Sequence, residues 1–265
     1  MIPEQFYLIC AYVIFGLVGL AVGSFLNVVI YRLPNNMSMV SPGSHCTTCD
    51  YSLKWYDNIP VLSYLILGGK CRKCKQPISP RYMIVELINA LLWVMSVYFF
   101  WEKNPVYAVI SAIVLSCLVC VFFIDLEHML IFNRFVIIIA VLGAVAIHFD
   151  RYTVWYDHLI GAAAFGGGFL LIYYGSLLIL KREGIGFGDV KLAFAAGLLL
   201  GWQRMLLALL ISSVSASIIL IIVKRIKNDE NGKEYPFGPF ISVGVAIALL
   251  VGAPIITWYL SLLGL

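Results

Sequence analysis

Two carboxylates and four thiols carry the chemistry this chain could do. Asp189 follows a Gly-x-Gly turn in Gly184-Ile185-Gly186-Phe187-Gly188-Asp189-Val190-Lys191-Leu192, at the mouth of a long apolar run. Glycine loses the most backbone entropy on becoming helical, so the spacing predicts a helix that starts late, at Val190. Asp189 would then stand where an apolar helix meets water, with main-chain atoms open to close approach. An ionisable residue at such a place points to function, although capping the helix is a plainer role that aspartate also fills. The second carboxylate, Asp125, ends another apolar run, just before Leu126-Glu127-His128-Met129-Leu130-Ile131-Phe132-Asn133. Glu127 and His128 compete with it as titratable groups, and an ion pair with Arg134 would make Asp125 structural.

Two carboxylates brought together do not both ionise easily and share a proton over a range of pH. One then acts as general base on a water while its protonated neighbour polarises a scissile carbonyl, which is aspartyl proteolysis. Rival hydrolytic chemistries lack their residues: there is no Gly-x-Ser-x-Gly turn and no His-Glu-x-x-His. Acids in apolar chains also mark ion pathways, but carrier acids lie near the membrane midplane in broken helices, whereas both of these lie at an edge.

The thiols form Cys46-x-x-Cys49 and Cys71-x-x-Cys74, with 21 residues between the pairs. In a reducing compartment this pattern suits a tetrahedral zinc site that ties down a loop too small to build its own core. The gap is one residue beyond the usual window of about 15–20. Four thiolates leave no open coordination position, so such a zinc would be structural. Cys117 and Cys120 make a third Cys-x-x-Cys inside an apolar run and read as packing residues, as does Cys10.

The elements that must position these groups are membrane helices. The chain has 265 residues, 62% hydrophobic and only 12% charged, with a mean hydropathy of +0.96, against about 25% charged in soluble domains. Apolar runs fall at about 6–30, 83–101, 106–124, 135–149, 159–180, 190–202, 205–223 and 239–263. The expected fold is therefore an all-α integral membrane protein with about eight transmembrane helices, two of them short. Residues 1–30 form the first anchor, 31–82 a cytoplasmic zinc-binding loop between helices 1 and 2, and 83–265 a seven-span membrane domain. The start, Met1-Ile2-Pro3-Glu4-Gln5, lacks the basic n-region of a secretory signal and reads as a retained anchor.

Charge placement orients the spans. Of 18 basic residues, only Lys103, Arg151 and Arg204 fall in the connections assigned to the outside. The rest, from Arg32 and the first loop through Arg134, Lys181, Arg182 and Lys191 to Lys224, Arg225, Lys227 and Lys233, mark the cytoplasmic side. Asp125 and Asp189 then share one depth on that face. The basic residues sit in loops beside spans, without a basic domain, so nucleic acid is not an expected partner. No repeat of 20–50 residues is visible. Gly161 and Gly166-Gly167-Gly168 would let neighbouring helices approach closely, and Gly238 and Pro239 suit a tight turn and the opening of the last span.

Several blocks in order resemble the bacterial type IV prepilin leader peptidases, also called prepilin peptidase/N-methyltransferases. They are Gly23-Ser24-Phe25-Leu26-Asn27-Val28-Val29-Ile30-Tyr31-Arg32-Leu33-Pro34, the two cysteine pairs, Asp57-Asn58-Ile59-Pro60, Ile78-Ser79-Pro80-Arg81-Tyr82 leading to Glu86, Gly186 to Asp189, and Pro236-Phe237-Gly238-Pro239. The resemblance implies a multi-pass enzyme of the bacterial cytoplasmic membrane whose active site faces the cytoplasm. It would cut the charged leader from prepilin or pseudopilin precursors, of pili or of secretion systems, and methylate the new N-terminus with S-adenosylmethionine. It implies Asp125 and Asp189 as the catalytic pair, Gly186, Gly188, Pro236 and Gly238 as the loops around them, and Cys46, Cys49, Cys71 and Cys74 as zinc ligands. One departure is Phe132, where members of the family often have proline, which would alter the turn after Asp125. A cleavage-only peptidase with a docking loop and a non-enzymatic membrane scaffold are the other readings.

Overall fold

The computed structural model describes residues 4–151, 153–182, 184–227 and 235–264; Met1-Ile2-Pro3, Lys233 and Glu234 lie outside the described residues. Among the described residues the chain is helical, apart from two isolated bridges in the first loop. The helices are α1 (Glu4–Arg32), α2 (Leu62–Ile66), α3 (Arg81–Phe100), α4 (Pro105–His128), α5 (Asn133–Ala146), α6 (Trp155–Gly161), α7 (Gly167–Leu180), α8 (Phe187–Leu200), α9 (Trp202–Lys227) and α10 (Gly238–Leu262). A π-helical stretch, Ala162–Gly166, joins α6 to α7 without a break. Among the described residues, six segments are long and apolar enough to cross a membrane: α1, α3, α4, the continuous α6–α7, α9 and α10. The chain is a multi-pass membrane protein. The other two apolar runs are the 14-residue helices α5 and α8, each about 21 Å long at 1.5 Å per residue, against a hydrocarbon core of about 30 Å.

The chain divides into two compact units, Met1–Pro105 and Val106–Leu265. In the first, α1 packs on α3. Gly16, Gly19 and Gly23 fall on one face of α1, and Cβ atoms at Gly19 and Gly23 would sit 2.8 Å from the Cα atoms of Ala90 and Glu86. Lipid offers no hydrophobic drive between helices, so close backbone approach and buried hydrogen bonds hold such a pair. Asn89 Nδ2 donates to Gly19 O at 2.7 Å and Asn27 Nδ2 to Tyr82 O at 2.9 Å.

In the second unit α8 is the central helix, packed against α5, α6, α7, α9 and α10. Leu192, Ala193, Ala195, Ala196, Leu199 and Leu200 are fully buried. Small residues make this possible. The carbonyls of Gly161 and Gly197 each occupy the place where the other's Cβ would lie, Gly143 backs onto Leu199, and Gly166 onto Phe194. Gly167 and Gly168 are expected from the sequence to join this contact, but a Cβ added at either would meet no neighbouring element within 4 Å.

A buried polar knot joins α6, α9 and the loop between α5 and α6. The Arg204 guanidinium binds the Asp150 carboxylate and Thr153 Oγ1 (2.8 Å), and Arg204 Nε donates to Leu200 O at 2.8 Å. His158 Nδ1–H donates to Leu198 O at 2.9 Å, and its Nε2 lies 3.6 Å from Asp150 Oδ2. Arg204, which the sequence suggests is a loop charge, is only 3% exposed.

Candidate active site

Asp125 closes α4 and is 5% exposed; Asp189 lies in the first turn of α8 and is 8% exposed. The structure corrects the expected helix start. α8 begins at Phe187, not Val190, with Gly186 as its extended N-cap residue (φ −65°, ψ 137°). Asp189 is thus the third helical residue, and its carboxylate reaches back to the Gly186 N–H, as the acidic member of a capping box does. That uses one oxygen. The other, Oδ1, is buried and has no hydrogen-bond partner among the described residues. A capping role alone leaves this atom unexplained, because an unsatisfied buried carboxylate oxygen carries the full cost of its desolvation.

Asp125 is close enough for its charge to act on Asp189. Its own carboxylate accepts the N–H of Gly238, the first residue of α10. Glycine there serves proximity rather than the tight turn expected from sequence: a Cβ at Gly238 would lie 2.5 Å from Asp125 Oδ2 and 3.1 Å from Ile131 Cδ1. Gly188 works in the same way, since its Cβ would lie 2.9 Å from Ile131 Cβ. Ile131, which carries no signal in the sequence, therefore lies against the starts of both α8 and α10. Pro236 and Phe237 lead into α10, with Phe237 as its N-cap residue and Pro239 in its first turn.

The rival titratable groups turn away. Glu127 and His128 are exposed while Asp125, on the other side of the same turn, is buried. Asp125 forms no ion pair with Arg134 or any other described cation. α4 then stops at Met129, in the left-handed conformation (φ 54°), with its N–H on Asp125 O at 2.9 Å. Phe132, where the resemblance leads one to expect proline, has φ −76° and ψ 132°, within the range a proline ring imposes. The turn is the one proline would make. Lys191 Nζ donates to Asn133 Oδ1 at 2.5 Å and ties the start of α5 to α8.

In the first unit the four cysteines converge. Their sulfur atoms all lie within 4.8 Å of one another, with Cys46–Cys74 at 3.8 Å and Cys49–Cys71 at 3.9 Å. A tetrahedron with metal–sulfur bonds of about 2.3 Å has edges of about 3.8 Å, so the donor set fits zinc. Each pair sits on the same turn, offset by 25 residues: Cys46 N–H to Tyr51 O and Asp50 N–H to Cys46 O, then Cys71 N–H to Gln76 O and Lys75 N–H to Cys71 O. Asp50 and Lys75 both have positive φ. Hydrogen bonds from the Thr48 and Cys49 N–H groups draw the Cys46 thiol down to about 6. The Gln76 N–H favours the Cys74 thiolate, but burial and the other three cysteines outweigh it and push that thiol up to about 11. A divalent metal among the four sulfur atoms would let all four bind as thiolates.

Sequence reasoning left two acids of this unit without a role. Asp57, its side chain fully buried, accepts from Arg72 Nε (2.7 Å), Lys54 N–H (3.2 Å) and Tyr51 OH (3.2 Å). It locks the second knuckle to the loop that follows the first. Glu86 of α3 accepts the Val61 N–H at 2.8 Å. Val61 has φ 61° and ψ −50° and heads a γ-turn closed by Leu62 N–H to Pro60 O at 2.6 Å. For a β-branched residue this costs about 1–3 kcal/mol. Only the motif Asp57-Asn58-Ile59-Pro60 hinted at this feature.

Residues 17–100 match a family profile described as the bacterial peptidase A24 N-terminal domain, and residues 112–221 match the type IV leader peptidase family. The chain is 35% identical over 272 residues to a prepilin leader peptidase/N-methyltransferase of Pseudomonas aeruginosa, covering 94% of this chain and 93% of that protein. It is 35% identical over 274 residues to one of Aeromonas salmonicida (92% of each chain), and 31% over 277 residues to one of Legionella pneumophila (94% of each). No solved structure matches the chain.

Proposed function

Because this chain belongs to the type IV leader peptidase family, we propose that Asp125 and Asp189 are the paired acids with which it cuts prepilin-like precursors. It is a prepilin leader peptidase, with N-methylation of the new terminus as its second activity. The observation that carries the assignment is the buried Oδ1 of Asp189, without a hydrogen-bond partner among the described residues, beside Asp125. One carboxylate takes a proton from a water as its oxygen attacks the scissile carbonyl carbon. The other gives its proton to the carbonyl oxygen. When the tetrahedral adduct collapses, the C–N bond breaks and the leaving nitrogen receives a proton, which makes a new amino terminus. Gly186 N–H and Gly238 N–H orient the two carboxylates, and Ile131 shields the space beside them from bulk water.

In this reading the chain crosses the membrane eight times, with α5 and α8 as the short spans and both termini outside. Basic residues then crowd the side that holds Asp125 and Asp189, which is the cytoplasmic face of the bacterial inner membrane. Residues 31–82 form a cytoplasmic loop held by a structural zinc on Cys46, Cys49, Cys71 and Cys74, and residues 83–265 the peptidase spans. The substrates are pilin or pseudopilin precursors with charged leaders, embedded in lipid like the enzyme itself. S-adenosylmethionine supplies a methyl group bound to a cationic sulfur; the chain must hold it beside an amine that exists only after cleavage.

The test is Asp125→Asn, Asp189→Asn and the double variant on a purified precursor followed by mass. Each single change removes nearly all cleavage and the double is little worse, because members of one catalytic unit are not additive. Glu127→Gln stays close to wild type. Substantial cleavage by either single variant would sink the pair. Label transfer from S-adenosylmethionine to an already-cleaved substrate by the Asp189→Asn enzyme separates the second activity from the first.

A further inference from the structure

The first unit contains a cavity of about 380 Å³ between α1 and the loop that follows it, within the size range of small-ligand sites. Arg32, the last residue of α1, is the one charged residue in its lining and is only 6% exposed. Its guanidinium donates to Ser38 O (2.9 Å), Pro42 O (2.6 Å) and Gly43 O (3.4 Å). Among the described residues no carboxylate pairs with it. Buried cations are normally matched by an anion, and a guanidinium has five N–H donors, so two at least remain for one.

The remaining walls are of two kinds. Phe25, Val28, Met39 and Val40 make an apolar slot, and Asn58 presents an amide that can both donate and accept. The Asn58–Pro60 side leads directly into the strained turn at Val61, which Glu86 holds from α3. Backbone held in a sparsely populated conformation is common at ligand clamps. The cavity is thus braced from α1, from α3 and from the loop.

We infer that this cavity binds S-adenosylmethionine, with Arg32 on the ligand's carboxylate, the Phe25–Val28–Met39–Val40 slot on its purine, and Glu86 as a positioning residue for the Asn58–Pro60 wall. The inference rests on the methyltransferase reading above and assigns the residues that reading lacks. The ligand has what the lining calls for: one carboxylate, one flat, weakly polar ring with an edge for an amide to read, and a size suited to the space. The carbonyl-rich loop around Arg32 suits the cationic sulfur, which a second basic residue would repel. A carboxylate–guanidinium contact is a charge-assisted pair, and lysine does not reproduce its planar donor geometry.

The experiment uses the full-length, zinc-loaded protein in detergent and methyl-labelled S-adenosylmethionine, read by equilibrium dialysis and by ultraviolet cross-linking with peptide mapping. Label should cross-link to peptides from 21–44 or 58–60. Arg32→Gln should weaken binding at least tenfold, with Arg32→Lys in between. Because Arg32 also pins the loop, Val28→Trp is the second variant: it fills the cavity without touching the pinning hydrogen bonds. It should abolish binding while zinc content and thermal stability stay at wild-type values. If wild type methylates a pre-cleaved substrate but cross-links elsewhere, or Val28→Trp binds normally, the cavity assignment is overturned and the activity stands. If wild type neither binds nor transfers label, the methyltransferase reading falls, and this inference with it.

Discussion

Replacing Gly238 by alanine separates the geometry of the acid pair from the stability of the fold. The new methyl carbon would stand 2.5 Å from Asp125 Oδ2, where ordinary contact begins at 3.4 Å, so the carboxylate or the start of α10 must yield by about 0.9 Å. Displacing a catalytic group by about 1 Å costs about 10²-fold in rate, or about 2.7 kcal/mol of barrier. The backbone itself does not object, because Gly238 is helical and alanine has the higher helix propensity, by up to about 1 kcal/mol. Gly238→Ala should therefore fold and bind zinc normally while kcat/KM for precursor cleavage falls about 10²-fold. Two neighbours calibrate it. A Cβ at Gly186 meets Asp189 Oδ2 at 3.3 Å, almost ordinary contact, so Gly186→Ala should lose no more than about threefold; Gly188→Ala, at 2.9 Å from Ile131 Cβ, should fall between the two. The assay is initial rate on purified precursor in detergent, read by mass, beside a thermal melt of each variant. Gly238→Ala within about twofold of wild type, or Gly186→Ala equally damaging, would refute the geometry on which the pair is built.

Three further outcomes are expected. Each chain should carry one structural zinc; chelation or Cys46→Ser should lower yield and melting temperature before moving the cut site, and instant rescue of turnover in a fully folded apo enzyme would contradict the structural role. Arg204→Met removes the guanidinium from the buried Asp150 carboxylate and should cost about 3–5 kcal/mol, seen as a shorter inactivation half-life, with Asp150→Asn added in the same chain recovering part of it. Gly19→Val drives a side chain into the Ala90 backbone at 2.8 Å and should lower membrane yield sharply, whereas Gly168→Ala, with nothing within 4 Å, should be silent.

The sequence alone determined the class of the molecule and its candidate chemistry. All eight apolar runs are helical, and six of them are long enough to cross a membrane; a polar backbone in lipid must satisfy itself locally, so length and hydropathy identify such segments. The four cysteines were legible because a tetrahedral metal accepts few ligand spacings. Asp125 and Asp189 stood out as candidates because carboxylates at the ends of apolar runs are rare and costly.

What only the tertiary structure decided is which atoms meet. Gly238 read as a turn residue and Gly188 as a helix breaker, yet both are glycine because Asp125 and Ile131, distant in sequence, occupy the space of their missing side chains. Arg204 read as a loop charge and His158 passed unremarked, because nothing local shows that Asp150 is waiting in the interior. Arg32 looked like one more inner-face basic residue until the loop folded over it. Hydropathy and spacing are properties of a segment and survive in one dimension. Burial of a charge and close approach to a glycine belong to pairs of segments, and they exist only once the helices have packed.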